Sequence, residues 1–443
     1  MRIAFVVHKF PPHSLGGVEN YTWSLARVLS ELGHESHVFY PLQGVTAETA
    51  RREQDGIHLW RVPLPEARAS EDPLRQFWHT FRDRSIEAGF ECFLAAVQPD
   101  VVHFQHVQGV SARLLQLAEG YPRLLTLHDY WFFCATSQLA MPDGAVCAGP
   151  RWCLNCVDCL TVRPDLRRLR TLRPFVALPL LYRNAYLRSA VRSVPLFLAP
   201  SEFLRQQYVY QGFPADRILT IELGLDRSRL SADDVELPAP LGRPHFGYLG
   251  ALGPHKGVHV LIEAFSHLPE RAGLTVYGDE TRFPNYVAEL KSAARHPHIR
   301  FAGALDHRHV GAALRQMDCL VVPSIWYENA PLVIQEAYGV GIPVVASRLG
   351  ALPEKVKDGQ TGWLFKAGDS ADLARVLRSL IEGPEKLLTV RENIRAAPTM
   401  QEHAQRMLQI YRALADGEPI QALPETGEDK QLRDDAYRRG RQT

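Results

Sequence analysis

Two carboxylates offer the clearest chemistry in this chain. Glu328 and Glu336 stand eight positions apart within Pro323 to Phe365, PSIWYENAPLVIQEAYGVGIPVVASRLGALPEKVKDGQTGWLF. Glu328 is expected in a loop after the apolar run Cys319–Val322, and Glu336 about a turn and a half into the helix that follows. Pro331 suits the first turn of that helix, where a missing N–H costs nothing. Beside Asn329, the N–H groups of Ala330, Leu332 and Val333 would form a positive pole fit for a diphosphate. Carboxylates flanking such an anion site can accept hydrogen bonds from sugar hydroxyls. Earlier, Gly250-Ala-Leu-Gly-Pro-His-Lys256-Gly257 follows the apolar run Phe246–Leu249. Its glycines let backbone approach a phosphate, and Lys256 brings a point charge. Tyr277-Gly278-Asp279 and Phe301-Ala-Gly-Ala304-Leu305 end two further strand candidates and could hold a base.

The first half carries a second constellation. Phe10-Pro-Pro-His-Ser-Leu-Gly16-Gly17-Val-Glu19 links an initial strand to a helix, a loop whose N–H groups can meet an anion or a sugar. His103, His106 and His128 fall at the ends of two strands, and Asp129 follows the last of them. His128 is the first choice for a hydrogen bond to a sugar or acceptor and His106 the second, with His103 read as a satisfied cleft histidine.

Five of the seven cysteines fall between Cys134 and Cys159. Cys147, Cys153, Cys156 and Cys159 could hold zinc tetrahedrally or an iron–sulfur cluster, the alternative being a reduced, partly buried thiol group. Residues 163–192 then carry eight arginines, Arg183 among them, interleaved with leucine and phenylalanine against the single acid Asp165. That pattern fits either an anionic membrane surface or a solvated helix face.

Apolar β-branched runs alternating with amphipathic stretches must position these groups. The rhythm implies βαβ units and parallel sheets, and it restarts after a proline-rich, acidic stretch. The expected division is a first α/β domain at 1–227 with a Cys/Arg-rich insert at 130–192, a linker at 228–244 and a second α/β domain at 245–398. A helix at 399–416 would return to the first domain, and 417–443 reads as disordered. A net charge of +1 argues against a surface built for nucleic acid. Only a five-residue apolar run, Ile3–Val7, opens the chain, so no signal segment is expected. No apolar run approaches the roughly 20 residues of a membrane span. The expected location is therefore cytoplasmic, or peripheral on the inner face of the cell membrane.

The second-half pattern resembles glycosyltransferase family 4, the glycosyl transferases group 1. The match rests on Pro323-Ser324, Glu328-x7-Glu336-Ala337, Gly341-x-Pro343-Val344, Pro353-Glu354 and Asp358-Gly359-x-x-Gly362. The glycine loop at Gly16-Gly17 and Thr126-Leu-His128-Asp129 extend it into the first half. The resemblance implies a GT-B fold, two Rossmann-like doubly wound parallel-sheet α/β domains facing a central cleft. It implies a retaining enzyme moving a sugar from a nucleoside-diphosphate sugar to a glycan or lipid-linked acceptor, in cell-surface polysaccharide or glycolipid synthesis. Glu328 would hold the transferred sugar, Glu336 the ribose and Lys256 the diphosphate. His128 would position rather than act as a base, and no cofactor would be required for catalysis. Ala251 departs from the pattern, since an arginine often stands there. A sugar-nucleotide epimerase and a non-catalytic nucleotide-sugar or metal-binding protein are the competing readings.

Overall fold

The computed structural model describes residues 1–14, 16–46, 50–64, 77–162, 164–230 and 243–418. Residues 231–242 of the expected linker and 419–443 of the expected tail lie outside them. The chain divides into two units. One takes Met1–Gln138, Gly149–Gly224 and the segment from Met400; the other takes Leu139–Ala148 and Leu225–Thr399. The expected insert is thus split, because Leu139–Ala148 goes with the second unit.

The first unit is built on strands β1 (Arg2–Val6), β2 (Glu35–Gln43), β3 (Arg51–Gln54), β4 (Ile57–Leu64), β5 (Val101–Phe104), β6 (Arg123–Thr126), β7 (Leu196–Ala199) and β8 (Ile218–Thr220). Their order across the sheet is β3-β4-β2-β1-β5-β6-β7-β8. All neighbours run parallel except the β3–β4 hairpin at one edge. The central strands are buried almost throughout and mostly apolar, as burial on both faces favours. In the helix Gly17–Glu31, Tyr21, Leu25, Val28 and Leu29 recur at helical spacing and are buried.

The helix Met400–Asp416 closes this unit through two buried polar contacts. Tyr411 Oη lies 2.7 Å from His103 Nδ1, whose other ring nitrogen lies 2.7 Å from Thr126 Oγ1. Tyr21 Oη lies 2.8 Å from His403 Nε2. The His403 ring also bonds the Glu222 backbone. That leaves Nε2 to accept from the Tyr21 hydroxyl.

The second unit holds β9 (His245–Leu249), β10 (Gly273–Tyr277), β11 (Ile299–Gly303), β12 (Cys319–Val322), β13 (Val344–Ser347) and β14 (Gly362–Phe365). Their order is β11-β10-β9-β12-β13-β14, all parallel. In each sheet the winding direction reverses once, between β1 and β5 and between β9 and β12. At such a switch point the loops leaving the two central strands diverge to opposite faces and open a crevice for ligand. The loops after β1 and β5 carry His8 and His106; those after β9 and β12 carry Lys256 and Glu328.

Replacing Tyr21 with Phe strands His403 Nε2 in the core. Tyr21→Phe should cost about 1–3 kcal/mol in urea unfolding. An unchanged midpoint would show that the closing helix does not depend on this contact.

Candidate functional site

In the second unit the Glu328 side chain is buried, with 6% of the residue exposed. Its Oε1 accepts from Lys256 Nζ at 2.7 Å, Ser324 Oγ at 2.6 Å and Trp326 Nε1 at 2.8 Å. Burial pushes this carboxyl up, but the Lys256 ammonium and the three hydrogen bonds outweigh it and hold Glu328 below the usual carboxylate range. Lys256 Nζ also lies 5.0 Å from the centre of the Trp326 ring. The loops bearing the two charges are laced together where Ile325 N–H donates to His255 O at 3.0 Å. Gly257 makes this approach feasible. Its φ is +69°, and a Cβ there would stand 2.0 Å from Pro323 O.

His255 packs 4.9 Å from the Trp326 ring. Burial, and then the neighbouring Lys256, bring its pKa down to about 4, so it is neutral near pH 7. At the departure from the family pattern, Ala251 O accepts from Tyr248 Oη at 2.7 Å.

The helix after Glu328 runs Leu332–Gly339, with Pro331 as its extended N-cap residue rather than inside the first turn. A proline at this point blocks the helix from extending backwards, which leaves Asn329 and Ala330 in the loop. Leu332 and Val333 form the first turn, and Glu336 follows on the buried side. Arg229 Nη1 lies 3.0 Å from Glu336 Oε1 as an ion pair. Burial nevertheless dominates and raises the Glu336 carboxyl. No described residue donates a hydrogen bond to Glu336 Oε1. Glu328 and Glu336 thus differ in kind: one is ionised with three donors on Oε1, the other is raised by burial and faces a single guanidinium without a well-aligned hydrogen bond.

Gly278 and Ala304 lie at neighbouring strand ends. Gly278 N–H is committed to Gly303 O at 2.8 Å, and a Cβ at 278 would collide with Gly250 O. Gly278 is therefore a packing residue whose N–H is not open to a base. Ala304 is exposed.

In the first unit, His106 and Asp129 meet, with Nε2 3.0 Å from Oδ2. The tautomer follows from the other nitrogen. Nδ1 accepts from Gln108 N–H at 3.0 Å, so Nε2 carries the proton and donates to Asp129. Asp129 Oδ1 accepts from Trp131 N–H at 2.8 Å. Burial works against the Asp129 carboxylate, but His106 and these hydrogen bonds hold its pKa down. His128 donates through Nε2 to Gln105 Oε1 at 2.8 Å. Burial, then the His106 charge, lower its pKa to about 3, so His128 is neutral and suited to positioning.

The sequence reading missed His8. Its ring lies 4.8 Å from His106, and it lines a cavity of about 700 Å³ with Lys9, Phe10, His13, Tyr40 and His79. Its position, just beyond the end of β1, was the available signal. Gly16 serves as N-cap of the helix Gly17–Glu31, and the Glu19 carboxylate folds back beside it. An acid at a helix start is favoured by the dipole. Here it occupies ground that the glycine pair was expected to offer an anion.

The expected metal ligands divide between the two units. Cys147 lies in the second unit, where its N–H donates to Leu139 O at 2.7 Å in a small hairpin. Cys134, Cys153, Cys156 and Cys159 lie in the first. Among the described residues no three His, Cys, Asp or Glu side chains are placed to share a metal ion. Arg183, counted with the basic stretch, is buried and donates to Trp131 O at 2.6 Å, so it presents no charge to a surface. No described helix is long and apolar enough to cross a membrane.

Known proteins resemble this chain in sequence and in fold. The profile of Glycosyltransferase Family 4 matches residues 15–229, and that of Glycosyl transferases group 1 matches residues 231–397. A glycogen synthase of Mycobacterium tuberculosis is 32% identical over 452 residues, spanning 96% of this chain and 98% of the relative. The MMP alpha-(1->4)-mannosyltransferase of Mycolicibacterium hassiacum is 25% identical over 419 residues, spanning 89% and 92%. Among solved structures, sucrose-phosphate synthase from Thermosynechococcus elongatus superposes with a TM-score of 0.70 at 19% identity, covering 94% of this chain and all of that one (100%). Anabaena HepE in complex with UDP and glucose gives 0.58 at 19% identity, covering 94% and 99%. At these identities the two structures speak for the fold alone.

The neutral imidazoles generate a pH dependence. His128 and His403 have folded pKa values of about 3 and about 4, against 6.5 for the free side chain. Below pH 6.5 the unfolded chain binds protons that the folded chain refuses. Stability present above that pH is therefore lost as pH falls towards 4, at about 1.4 kcal/mol per pH unit for each group. Glu336, whose pKa is raised, acts in the opposite sense but is one group against several. Urea midpoints should fall steadily from pH 7 to pH 5; a flat profile would contradict the buried neutral state.

Proposed function

This chain belongs to glycosyltransferase family 4, the glycosyl transferases group 1, and from that membership we propose that it is a retaining transferase moving a sugar from a nucleoside-diphosphate sugar to a glycan or lipid-linked acceptor. The observation that carries this reading is the Lys256–Glu328 pair at the switch point of the second sheet. The carboxylate is fixed by three donors to Oε1, which leaves Oε2 to take a sugar hydroxyl. The ammonium spends one hydrogen on Glu328 and has two more for diphosphate oxygens. Beside them, the first turn at Leu332 and Val333 adds backbone N–H groups that no earlier helical turn uses. Glu336, buried and paired with Arg229 through no aligned hydrogen bond, suits a ribose hydroxyl.

In this reading the acceptor oxygen bonds to the anomeric carbon on the face from which the diphosphate departs. The acceptor proton passes to the leaving phosphate oxygen, so no protein base is needed. Lys256 and the helix start stabilise the charge that gathers on the diphosphate, and the rest is positioning. The fixed pair His106–Asp129 and the neutral His128 stand at the switch point of the first sheet, where an acceptor would be oriented. HepE, which shares the fold, is described with UDP and glucose. That supports a nucleoside diphosphate donor here.

The surface of the first unit favours a membrane-borne acceptor. Trp152 is 80% exposed and Phe175 70%, with Leu178 and Tyr182 also exposed on the helix Arg173–Val191. Arg167, Arg168, Arg173, Arg188 and Arg192 of the same stretch are exposed too, Arg173 paired with Asp158. Aromatic and leucine side chains ringed by arginines suit the headgroup region of an anionic bilayer.

Four measurements test the proposal. A panel of nucleoside diphosphate sugars should include one that raises the melting temperature, and that donor should be slowly hydrolysed without acceptor. Glu328→Ala should cut the hydrolysis at least about a hundredfold, as expected for losing a charged contact made in the reacting complex; undiminished hydrolysis would place the chemistry elsewhere. The transferred sugar should keep its anomeric configuration by proton NMR, and inversion would overturn the mechanism. Replacing Phe175 and Leu178 with Ser should abolish binding to vesicles rich in anionic lipid, and unchanged binding would remove the membrane contact.

A further inference from the structure

Arg229 poses a question that the transfer chemistry leaves open. Its side chain is 17% exposed, and its Nη1 lies 3.0 Å from Glu336 Oε1. Yet no aligned hydrogen bond joins the two. Arg229 Nε is buried with no acceptor among the described residues, and Glu336 Oε1 is buried with no donor aligned on it. Desolvating two charges is costly, and a pair that leaves polar atoms unmatched recovers little of that cost. Such a pair is a poor device for merely holding a chain in place.

The holding is done by other groups. Arg229 lies in the short helical turn Arg227–Leu230, which belongs to the second unit. Before it, Leu225 N–H donates to Pro398 O at 2.8 Å. Asp226 Oδ1 accepts from Ser228 N–H at 3.0 Å and from Ser228 Oγ at 2.6 Å. After it, Leu230 is buried, and Arg315 Nη2 donates to its carbonyl at 2.6 Å. Two glycines make room for Leu230. A Cβ at 311 would stand 2.6 Å from Leu230 O, and one at 339 would stand 2.5 Å from Leu230 Cδ1 and 2.7 Å from Leu225 Cδ2. Gly339 follows Glu336 by one helical turn on Leu332–Gly339, so the segment packs on the face that carries the carboxylate. Apolar packing and backbone bonds thus bring the guanidinium to Glu336 without needing the ion pair.

We propose that Arg229 is a positioning residue of the nucleotide site, its guanidinium holding the Glu336 carboxylate in place to accept ribose hydroxyls. The inference rests on the reading of Glu336 as the ribose contact. An ionised carboxylate offers two oxygens to the two hydroxyls of a ribose; a protonated one has spent an oxygen on its own hydrogen. Burial pushes Glu336 towards the protonated form, and the charge of Arg229 opposes it. The other charged groups of this corner are committed or outside it. Arg315 is spent on Leu230 O, Asp226 is bonded to Ser228, and Arg227 is exposed. Since no aligned hydrogen bond ties the pair, Glu336 can take a ligand hydroxyl without first breaking one.

The test is calorimetric titration of the full-length protein with UDP, ADP and GDP, continued with the one that binds tightest and its 2′-deoxy form. Arg229→Met should weaken the ribonucleotide about tenfold or more, and Arg229→Lys should recover most of the loss. The wild type should prefer the ribonucleotide to the deoxy form, and Arg229→Met should lose most of that preference, a change that a structural role alone would not produce. Binding to Arg229→Met should also weaken more steeply than in the wild type as pH falls from about 8 to about 6, because Glu336 then protonates. Arg229→Met combined with Glu336→Gln should bind no worse than Glu336→Gln alone, since one residue acts through the other. Should Arg229→Met fail to fold, Arg229→Gln reads the same quantities. Wild-type affinity in Glu336→Gln, or no binding of any of the three diphosphates by the wild type, would remove the ribose reading and this inference with it. A weakened Glu336→Gln beside an unaffected Arg229→Met, an unchanged preference over the deoxy form, or additive losses in the double variant would leave that reading standing and overturn this one.

Discussion

A carboxylate with only 6% of its residue exposed must be compensated, and in this protein the compensation for Glu328 organises the loops around it. Lys256, Ser324 and Trp326 converge on one oxygen from two different loops. Removing the lysine would leave a charge with little solvent to replace it, a situation that commonly costs several kcal/mol when both partners are deeply buried. Lys256 is partly exposed, so the cost here lies at the lower end. The constraint reaches into the backbone. Gly257 must be glycine so that Pro323 can pass, and Ala351 N–H bonds to Glu328 O at 3.0 Å from the loop beyond β13. The pair is fixed before any ligand arrives, which is how preorganised electrostatics lowers a barrier.

The same topological device positions the first-unit groups with a different electrostatic outcome. There the ring nitrogens are kept neutral by burial, and only the His106–Asp129 contact brings a formal charge into play. A neutral imidazole with a fixed tautomer can orient a hydroxyl without competing for its proton. This agrees with a reaction in which the proton leaves with the diphosphate.

Much of this was legible in the sequence, for identifiable reasons. Parallel strands buried on both faces write themselves as continuous apolar runs, so β1, β5, β9 and β12 and the loops after them could be placed from composition. The Glu328-x7-Glu336 spacing placed the loop and the helix that carry the two glutamates, because local loop–helix geometry fixes it. What was missed lacked a clear local pattern or depended on contacts distant in sequence. The edge strand β3 is polar, and Arg61 and Pro63 interrupt the apolar run of β4. The helix Arg84–Val97 is announced only by its Asp83 cap and by Ile86, Phe90, Phe93 and Val97. His8, Arg229 and Arg183 gain their meaning from partners 98, 107 and about 50 residues away, which no local pattern encodes. The cysteines show the limit most clearly. Their spacing suggested four metal ligands, but chain contacts assign Cys147 to one unit and the other three to the other, which spacing does not encode.

The division of labour between the two glutamates is the claim on which the account rests. It is tested most directly by calorimetric binding of a nucleoside diphosphate with and without its sugar to Glu328→Gln and Glu336→Gln. If Glu328 holds the sugar and Glu336 the ribose, Glu328→Gln should weaken the sugar nucleotide about tenfold or more while barely changing the diphosphate, and Glu336→Gln should weaken both alike. Equal losses for both ligands in Glu328→Gln, or none in Glu336→Gln, would contradict it.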